Sequence, residues 1–262
     1  MPGSSARYGF VGTGSITRAM VEGLSSVDDP PAIMLSPRGA AVGAALAARF
    51  ANVRIAADNQ AVVDAAPVVV LAPRPVDAGA VLGGLTFTAG HTVVSVVAGL
   101  ALDDLRTAVA PARAVARAIP LPPVATREGL VPVYPAEPAA VELFDRLGDV
   151  AALDDEDAFD SFSTASAFAA TQLDLLATVE AWLVGRGVPA PDARAFVADL
   201  VRGLSRAIGD EPDRALAALA DDHATPGGLN EQIRTFVRGH GVHELLGTAL
   251  DDVARRVAAP RG

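Results

Sequence analysis

Apolar positions along this 262-residue chain follow two different rhythms. In the amino-terminal part, short uninterrupted apolar runs alternate with stretches of helical spacing. The runs begin near Tyr8 and recur at Ala32–Ser36, Val53–Ile55, Val68–Ala72, Thr92–Val97 and Arg113–Ile119. Between them, Ile16, Ala19, Met20, Gly23 and Leu24 repeat on one helical face, and Gly39–Phe50, Asn59–Asp64 and Leu102–Ala110 read as further helices. Strands that are apolar at every position suit a parallel sheet covered on both faces. The pattern therefore predicts an α/β domain with a doubly wound parallel sheet, its ligand at the carboxyl ends of the strands. The rhythm changes at Leu153-Asp154-Asp155-Glu156-Asp157, an acidic cluster that reads as a solvated boundary and helix start. Beyond it only helices are predicted: Phe159–Gly185, Pro191–Gly209, Pro212–Ala220 and Leu229–Ala258, with breaks at Gly185-Arg186-Gly187 and Gly209-Asp210. The expected domains are residues 1–154 and an all-α helical domain at 155–262. The second is apolar enough to supply a dimer interface.

The first strand runs into Gly12-Thr13-Gly14-Ser15-Ile16, and a helix follows at once. Gly12 permits a tight turn, Gly14 lets backbone approach a pyrophosphate, and the helix offers its unpaired N–H groups to the anion. This is the phosphate-binding turn of a Rossmann-like fold, with Thr17 where a third Gly or Ala is usual. The second strand ends in Leu35-Ser36-Pro37-Arg38, without the carboxylate that holds the ribose 2′-hydroxyl of NAD. Ser36 can donate a hydrogen bond and Arg38 can form a bidentate pair with a 2′-phosphate, so the expected cofactor is NADP. The alternative for Arg38 is an ordinary surface cation.

Composition narrows the chemistry. A net charge of -10 argues against nucleic acid or an anionic membrane as partner. There is no cysteine, and all 21 basic residues are arginine, which excludes thiolate nucleophiles, lysine Schiff bases and the P-loop lysine. No apolar run approaches the ~20 residues of a bilayer span, and no signal-peptide pattern opens the chain, so a soluble, cytoplasmic protein is expected.

Five segments, Gly9–Met20, Asp58–Val62, Val70–Pro75, Ser95–Leu100 and Arg117–Pro120, resemble pyrroline-5-carboxylate reductases in order and spacing. Downstream, Thr225-Pro226-Gly227-Gly228 resembles that family's Ser-Pro-Gly-Gly loop. The resemblance implies NADPH-dependent reduction of a cyclic imine acid, pyrroline-5-carboxylate to proline, and a helical domain that interlocks two subunits. It puts cofactor contacts on Thr13, Gly14, Ser15, Ile16, Ser36, Arg38, Asn59, Ala72, Pro73, Arg74, Pro75 and Ala98. Arg74 stands where the family has lysine, conserving charge but not shape. The substrate side departs further. The family's Met-Pro-Asn-Thr-Pro is Ile119-Pro120-Leu121-Pro122-Pro123 here, and its Gly-Gly-Thr-Thr is Gly227-Gly228-Leu229-Asn230. Its Ser-Gly-Ser-Gly-Pro-Ala-Tyr stretch has a loose counterpart at Ser163–Phe168.

On this reading Asn230, Ser166 and Thr225 are the polar groups beside substrate, a cap being the alternative for the last two. Backbone N–H groups at Gly227 and Gly228 are candidates for a substrate carboxylate. Of the four histidines only His223 is a candidate acid; His240 and His243 sit at a glycine-flanked turn, and no metal is expected. Trp182, with Leu176, Val179 and Leu183, reads as core, Glu180 as solvated, and Arg117 with Glu128 as a structural pair. Three rivals remain. A β-hydroxyacid dehydrogenase shares this layout but carries a catalytic lysine. A deazaflavin-dependent NADP reductase has a similar first domain. A protein that binds NADP and signals its occupancy would also retain cofactor residues while losing substrate residues.

Overall fold

The computed structural model describes residues 7–258. Two compact units divide at Ser163/Thr164. The first carries β1 (Tyr8–Val11), α1 (Ser15–Leu24), β2 (Ile33–Leu35), α2 (Ala40–Arg49), β3 (Val53–Ile55), α3 (Asn59–Ala65), β4 (Val68–Leu71) and α4 (Pro75–Leu82). It continues with β5 (Thr92–Ser95), α5 (Leu102–Ala108), β6 (Ala114–Ala118), a 3-10 turn at Pro122–Thr126, β7 (Leu130–Tyr134), α6 (Pro138–Asp145) and β8 (Asp149–Ala152). The strands form one sheet in the order β3-β2-β1-β4-β5-β6-β7-β8.

Strand pleating explains the uninterrupted apolar runs. Tyr8, Phe10, Val68, Val70 and Val94 face one layer, where Met20 and Leu24 of α1, Leu46 of α2 and Phe144 of α6 pack. Val11, Val69, Leu71 and Val93 face the other, against Val62 of α3, Leu82 of α4 and Leu105 of α5. Both faces are buried, so every position must be apolar. Strands are added on one side of β1 as far as β3 and on its other side from β4 onward, so the crevice opens at the carboxyl ends of the parallel pair β1 and β4.

The sheet departs from the sequence reading at its far edge. β7 runs antiparallel to β6, and β8 pairs parallel with β7, so the sheet is mostly rather than wholly parallel. Pro132 sits within β7, and a proline inside an apolar run argues against a strand. Here its carbonyl accepts from the Ile119 N–H at 3.1 Å, so the proline still pairs with β6 through its acceptor. Helices α4 and α6 both open on a proline, Pro75 and Pro138, whose fixed φ suits the first helical position.

The first unit ends later than the acidic cluster at Leu153–Asp157, because α7 (Glu156–Ser166) is tied to the sheet at its start. Arg117 of β6 is buried and donates to Glu156 at 2.8 Å and Asp160 at 3.0 Å. Its guanidinium lies 4.4 Å from the centre of the Phe159 ring. The expected Arg117–Glu128 pair is therefore replaced by a longer-range one; Glu128 instead accepts from Thr126.

The second unit consists of α8 (Phe168–Gly185), α9 (Ala190–Asp210), α10 (Leu216–Asp222), α11 (Leu229–Gly239) and α12 (Val242–Ala258). The predicted helix at Leu229–Ala258 is two helices, because Gly241 takes a φ of 72° and turns the chain after His240. Trp182 is not core: it is 59% exposed, with Arg186 over its ring. The run Glu156–Gly185 is long and apolar enough to cross a membrane by length and composition, contrary to the expectation that no apolar run reaches that length. It escapes such a count because Gln172, Asp174 and Glu180 punctuate it.

Packing of α1 against the 3-10 turn depends on Gly23. A β-carbon there would lie 2.2 Å from the Val124 carbonyl oxygen and 2.6 Å from Leu147. Backbone cannot yield as a flexible side chain can. Gly23→Ala is expected to destabilise the protein by about 2–4 kcal/mol, read as a lowered denaturation midpoint in urea.

Candidate cofactor site

At the carboxyl ends of β1, β2 and β4 lies an open cavity of about 370 Å³. Its walls include Gly12, Thr13 and Gly14 from the first turn, Arg38 and Gly39 after β2, Asn59 opening α3, and Ala72, Pro73 and Arg74 after β4. A second hollow of about 500 Å³ shares Arg38, Asn59, Asp77 and Val81 and extends the crevice along α3 and α4.

The first turn is built from backbone contacts. Gly12 has a φ of 102°, and a β-carbon on it would sit 2.4 Å from the Ala72 carbonyl oxygen. Only glycine satisfies both demands. The Gly12 N–H donates to Ser36 Oγ at 2.9 Å, and the Thr13 hydroxyl donates to the Ser36 carbonyl at 2.9 Å. Thr17 is buried and its hydroxyl donates to the Gly12 carbonyl at 2.7 Å. That bond explains why threonine replaces the usual third glycine: the side chain closes the turn it would otherwise crowd.

Helix α1 starts at Ser15 with Gly14 as its cap, without a side-chain hydrogen bond or an acidic residue in its first turn. A β-carbon at Gly14 would meet nothing within 4 Å, so the space above it is open for ligand. An uncapped helix start beside a bare backbone suits a pyrophosphate. The residues present thus fit a dinucleotide.

Placement of the predicted residues is uneven. Gly12, Thr13, Gly14, Arg38, Asn59, Ala72, Pro73 and Arg74 come together around the cavity. Ser15, Ile16 and Pro75 open the two flanking helices, and Ala98 follows β5 on the same edge of the sheet. Ser36 lies behind the wall: it is 1% exposed and its hydroxyl serves Gly12, so it holds the turn. The cations at the mouth are Arg38 and Arg74, and both bond one residue that the sequence reading passed over. Asp77 Oδ2 accepts from Arg74 Nε at 2.8 Å and from an Arg38 terminal nitrogen at 3.1 Å. The hydrogen bond from Arg74, with the charge of Arg38 added, holds the Asp77 carboxyl below the ordinary carboxylate range, so it stays ionised at neutral pH. In sequence Asp77 looks like an acid complementing the first turn of α4.

The loop at Thr225–Asn230 belongs to the second unit. Gly227, with a φ of 74°, donates its N–H to the Glu231 carboxylate at 2.7 Å. Asn230 donates its side-chain amide to the His223 carbonyl at 2.9 Å, and His223 Nδ1 contacts the Leu219 carbonyl at 2.9 Å. Gly228 packs tightly under Thr225, where a β-carbon would meet Thr225 Oγ1 at 2.6 Å. Ser166 ends α7.

Residues 7–99 match the family model described as NADP oxidoreductase, coenzyme F420-dependent. The chain has no match among curated protein sequences. Its fold is similar to that of 1-pyrroline-5-carboxylate reductase from Streptococcus pyogenes, with a TM-score of 0.81, 19% identity, and coverage of 96% of this chain and 98% of that one. Pyrroline carboxylate reductase from Plasmodium falciparum, with NADP bound, gives 0.79 at 16% identity over 97% and 98% of the two chains. A reductive aminase from Aspergillus terreus, in complex with NADPH and ethyl levulinate, gives 0.58 at 17% identity over 84% and 79%.

Gly14→Ala separates binding from folding. Its methyl group has room in the protein but would stand between backbone and pyrophosphate. Affinity for NADPH is expected to fall about tenfold or more, while the thermal midpoint stays within about one degree, as calorimetry and thermal melts would read. A matching loss of stability would mean that the open space belongs to the fold and not to a ligand. The fold is similar to that of the pyrroline-5-carboxylate reductases, with a glycine-rich turn leading from β1 into α1 at its amino terminus.

Proposed function

We propose that the protein is an NADPH-dependent reductase of a C=N bond, its substrate a cyclic imine acid such as pyrroline-5-carboxylate. The observation that carries this reading is the cradle formed by Gly12, Gly14 and the uncapped start of α1, with Arg38 and Arg74 at its mouth. Bound NADPH would supply the hydride. The turn and helix start hold the pyrophosphate, the two arginines hold the 2′-phosphate, and Asn59, Ala72 and Pro73 border the adenosine side. An imine that arrives protonated is already electrophilic, so no side chain has to act as a strong acid.

For the substrate side we assign Asn230, Thr225 and Ser166 as polar contacts, and the Gly227 and Gly228 N–H groups as the carboxylate site. A carboxylate, that of Glu231, already bonds the Gly227 N–H. Substrate would take its place there. Asn230 spends one N–H on the His223 carbonyl, which orients the amide and leaves it a second N–H and a carbonyl oxygen for chemistry. A second reading, reduction of a different imine or carbonyl compound, is favoured by Leu121 and Leu229, which are 43% and 79% exposed where the resembling family carries polar residues. A site without those polar groups rejects substrates that need them.

NADPH oxidation should be saturable with pyrroline-5-carboxylate. Turnover only with other cyclic or acyclic imines would move the protein to the second reading. NADPH binding without turnover on any of them would leave a non-catalytic sensor.

The helical unit supports self-association. Ala193 and Val197 on one face of α9 are buried, but the same face continues as Leu200, Leu204 and Ile208, each more than 40% exposed. An apolar stripe of that length calls for a partner, and we assign a second copy of the chain. The double variant Leu200→Glu/Leu204→Glu is expected to lower the molar mass measured by light scattering at least to half. An unchanged mass would place the interface elsewhere.

A further inference from the structure

We propose that Asp77 sets the cofactor discrimination of this site, holding the preference for NADP over NAD below what its two arginines would otherwise give. The inference rests on the reading of the cavity as a dinucleotide site. Three groups stand together at its mouth: Arg38 from the loop after β2, Arg74 from the loop after β4, and Asp77 from the first turn of α4. Both guanidinium groups spend a donor on the same carboxylate oxygen, Oδ2. The arginine side chains are 61% and 72% exposed, whereas that of Asp77 is 23% exposed, so the carboxylate is the fixed member and the cations bend to it.

The carboxylate acts on two cofactors in opposite senses. A 2′-phosphate brings up to two negative charges to a mouth whose two cations are already partly neutralised, and it has to compete with Oδ2 for their donors. A ribose 2′-hydroxyl has the opposite requirement. It needs an acceptor, which NAD-binding sites place at the end of the second strand and which Ser36-Pro37-Arg38 does not provide. Asp77 supplies a carboxylate to the same cavity from a different strand's helix, and its Oδ1 carries no hydrogen bond among the described residues. The mouth thus offers cations to a phosphate and an acceptor to a hydroxyl.

The test is calorimetric titration of the intact protein and of Asp77→Asn with NADPH and with NADH. The ratio of the NADH to the NADPH dissociation constant is expected to rise about five- to tenfold in Asp77→Asn, the worth of one nearby charge acting on a phosphate near the protein surface. Most of the change should come from tighter NADPH binding. Asp77→Ser, which also suits a first helical turn, should move the ratio the same way. Asp77→Glu, which keeps the charge, should stay closer to the original protein than either. A ratio that is unchanged or falls in both neutral variants overturns the proposal and would make Asp77 only a scaffold for the arginines. An original protein that binds neither dinucleotide overturns the reductase reading and this inference with it.

Discussion

Everything at the cofactor end depends on two chain crossings coming closer than a side chain permits. The turn after β1 passes directly against the turn after β4, and Gly12 meets Ala72 with backbone alone between them. That contact fixes where α1 starts relative to the sheet. Its neighbours are recruited to hold it: Ser36 accepts from the Gly12 N–H, Thr13 donates to Ser36, and Thr17 closes the loop from within the helix. These three hydroxyl side chains are all buried, and their hydrogen bonds offset the cost of burying them. The turn is preorganised, and the helix start it leaves bare faces open space.

Polar residues near the site therefore divide into two groups with different tasks. The hydroxyls are internal and stabilise the backbone. The charges are external and present themselves at the mouth. A residue such as Ser36 belongs to the first group although its place in the sequence suggests the second. The division does not hold at β6, where the charged Arg117 is itself buried and bonds two carboxylates of α7. Losing both carboxylates would leave the buried guanidinium unpaired, whereas losing one leaves it the other.

The helical unit is organised by a different constraint. Its helices carry more apolar surface than they can bury among themselves, and large side chains such as Trp182 and Phe196 remain exposed. The Thr225–Asn230 loop in this unit is rich in internal bonds, with Glu231 and Asn230 both engaged by backbone.

Local sequence determined the strand runs, the phosphate-binding turn and the change to helices, because each follows from the period of apolar residues or from a glycine's geometry within a few positions. It missed β7 because Pro132 interrupts the run, and β8 because four weakly apolar residues carry no period. It misread Trp182, since helical spacing records an apolar face but not whether anything covers it. Tertiary structure alone decided the pairing of Arg117 with Glu156 and Asp160, the withdrawal of Ser36 behind the cavity, and the meeting of Arg38 with Asp77. Each joins residues some 24 to 43 positions apart. No local rule brings such residues together; the order of strands in the sheet does.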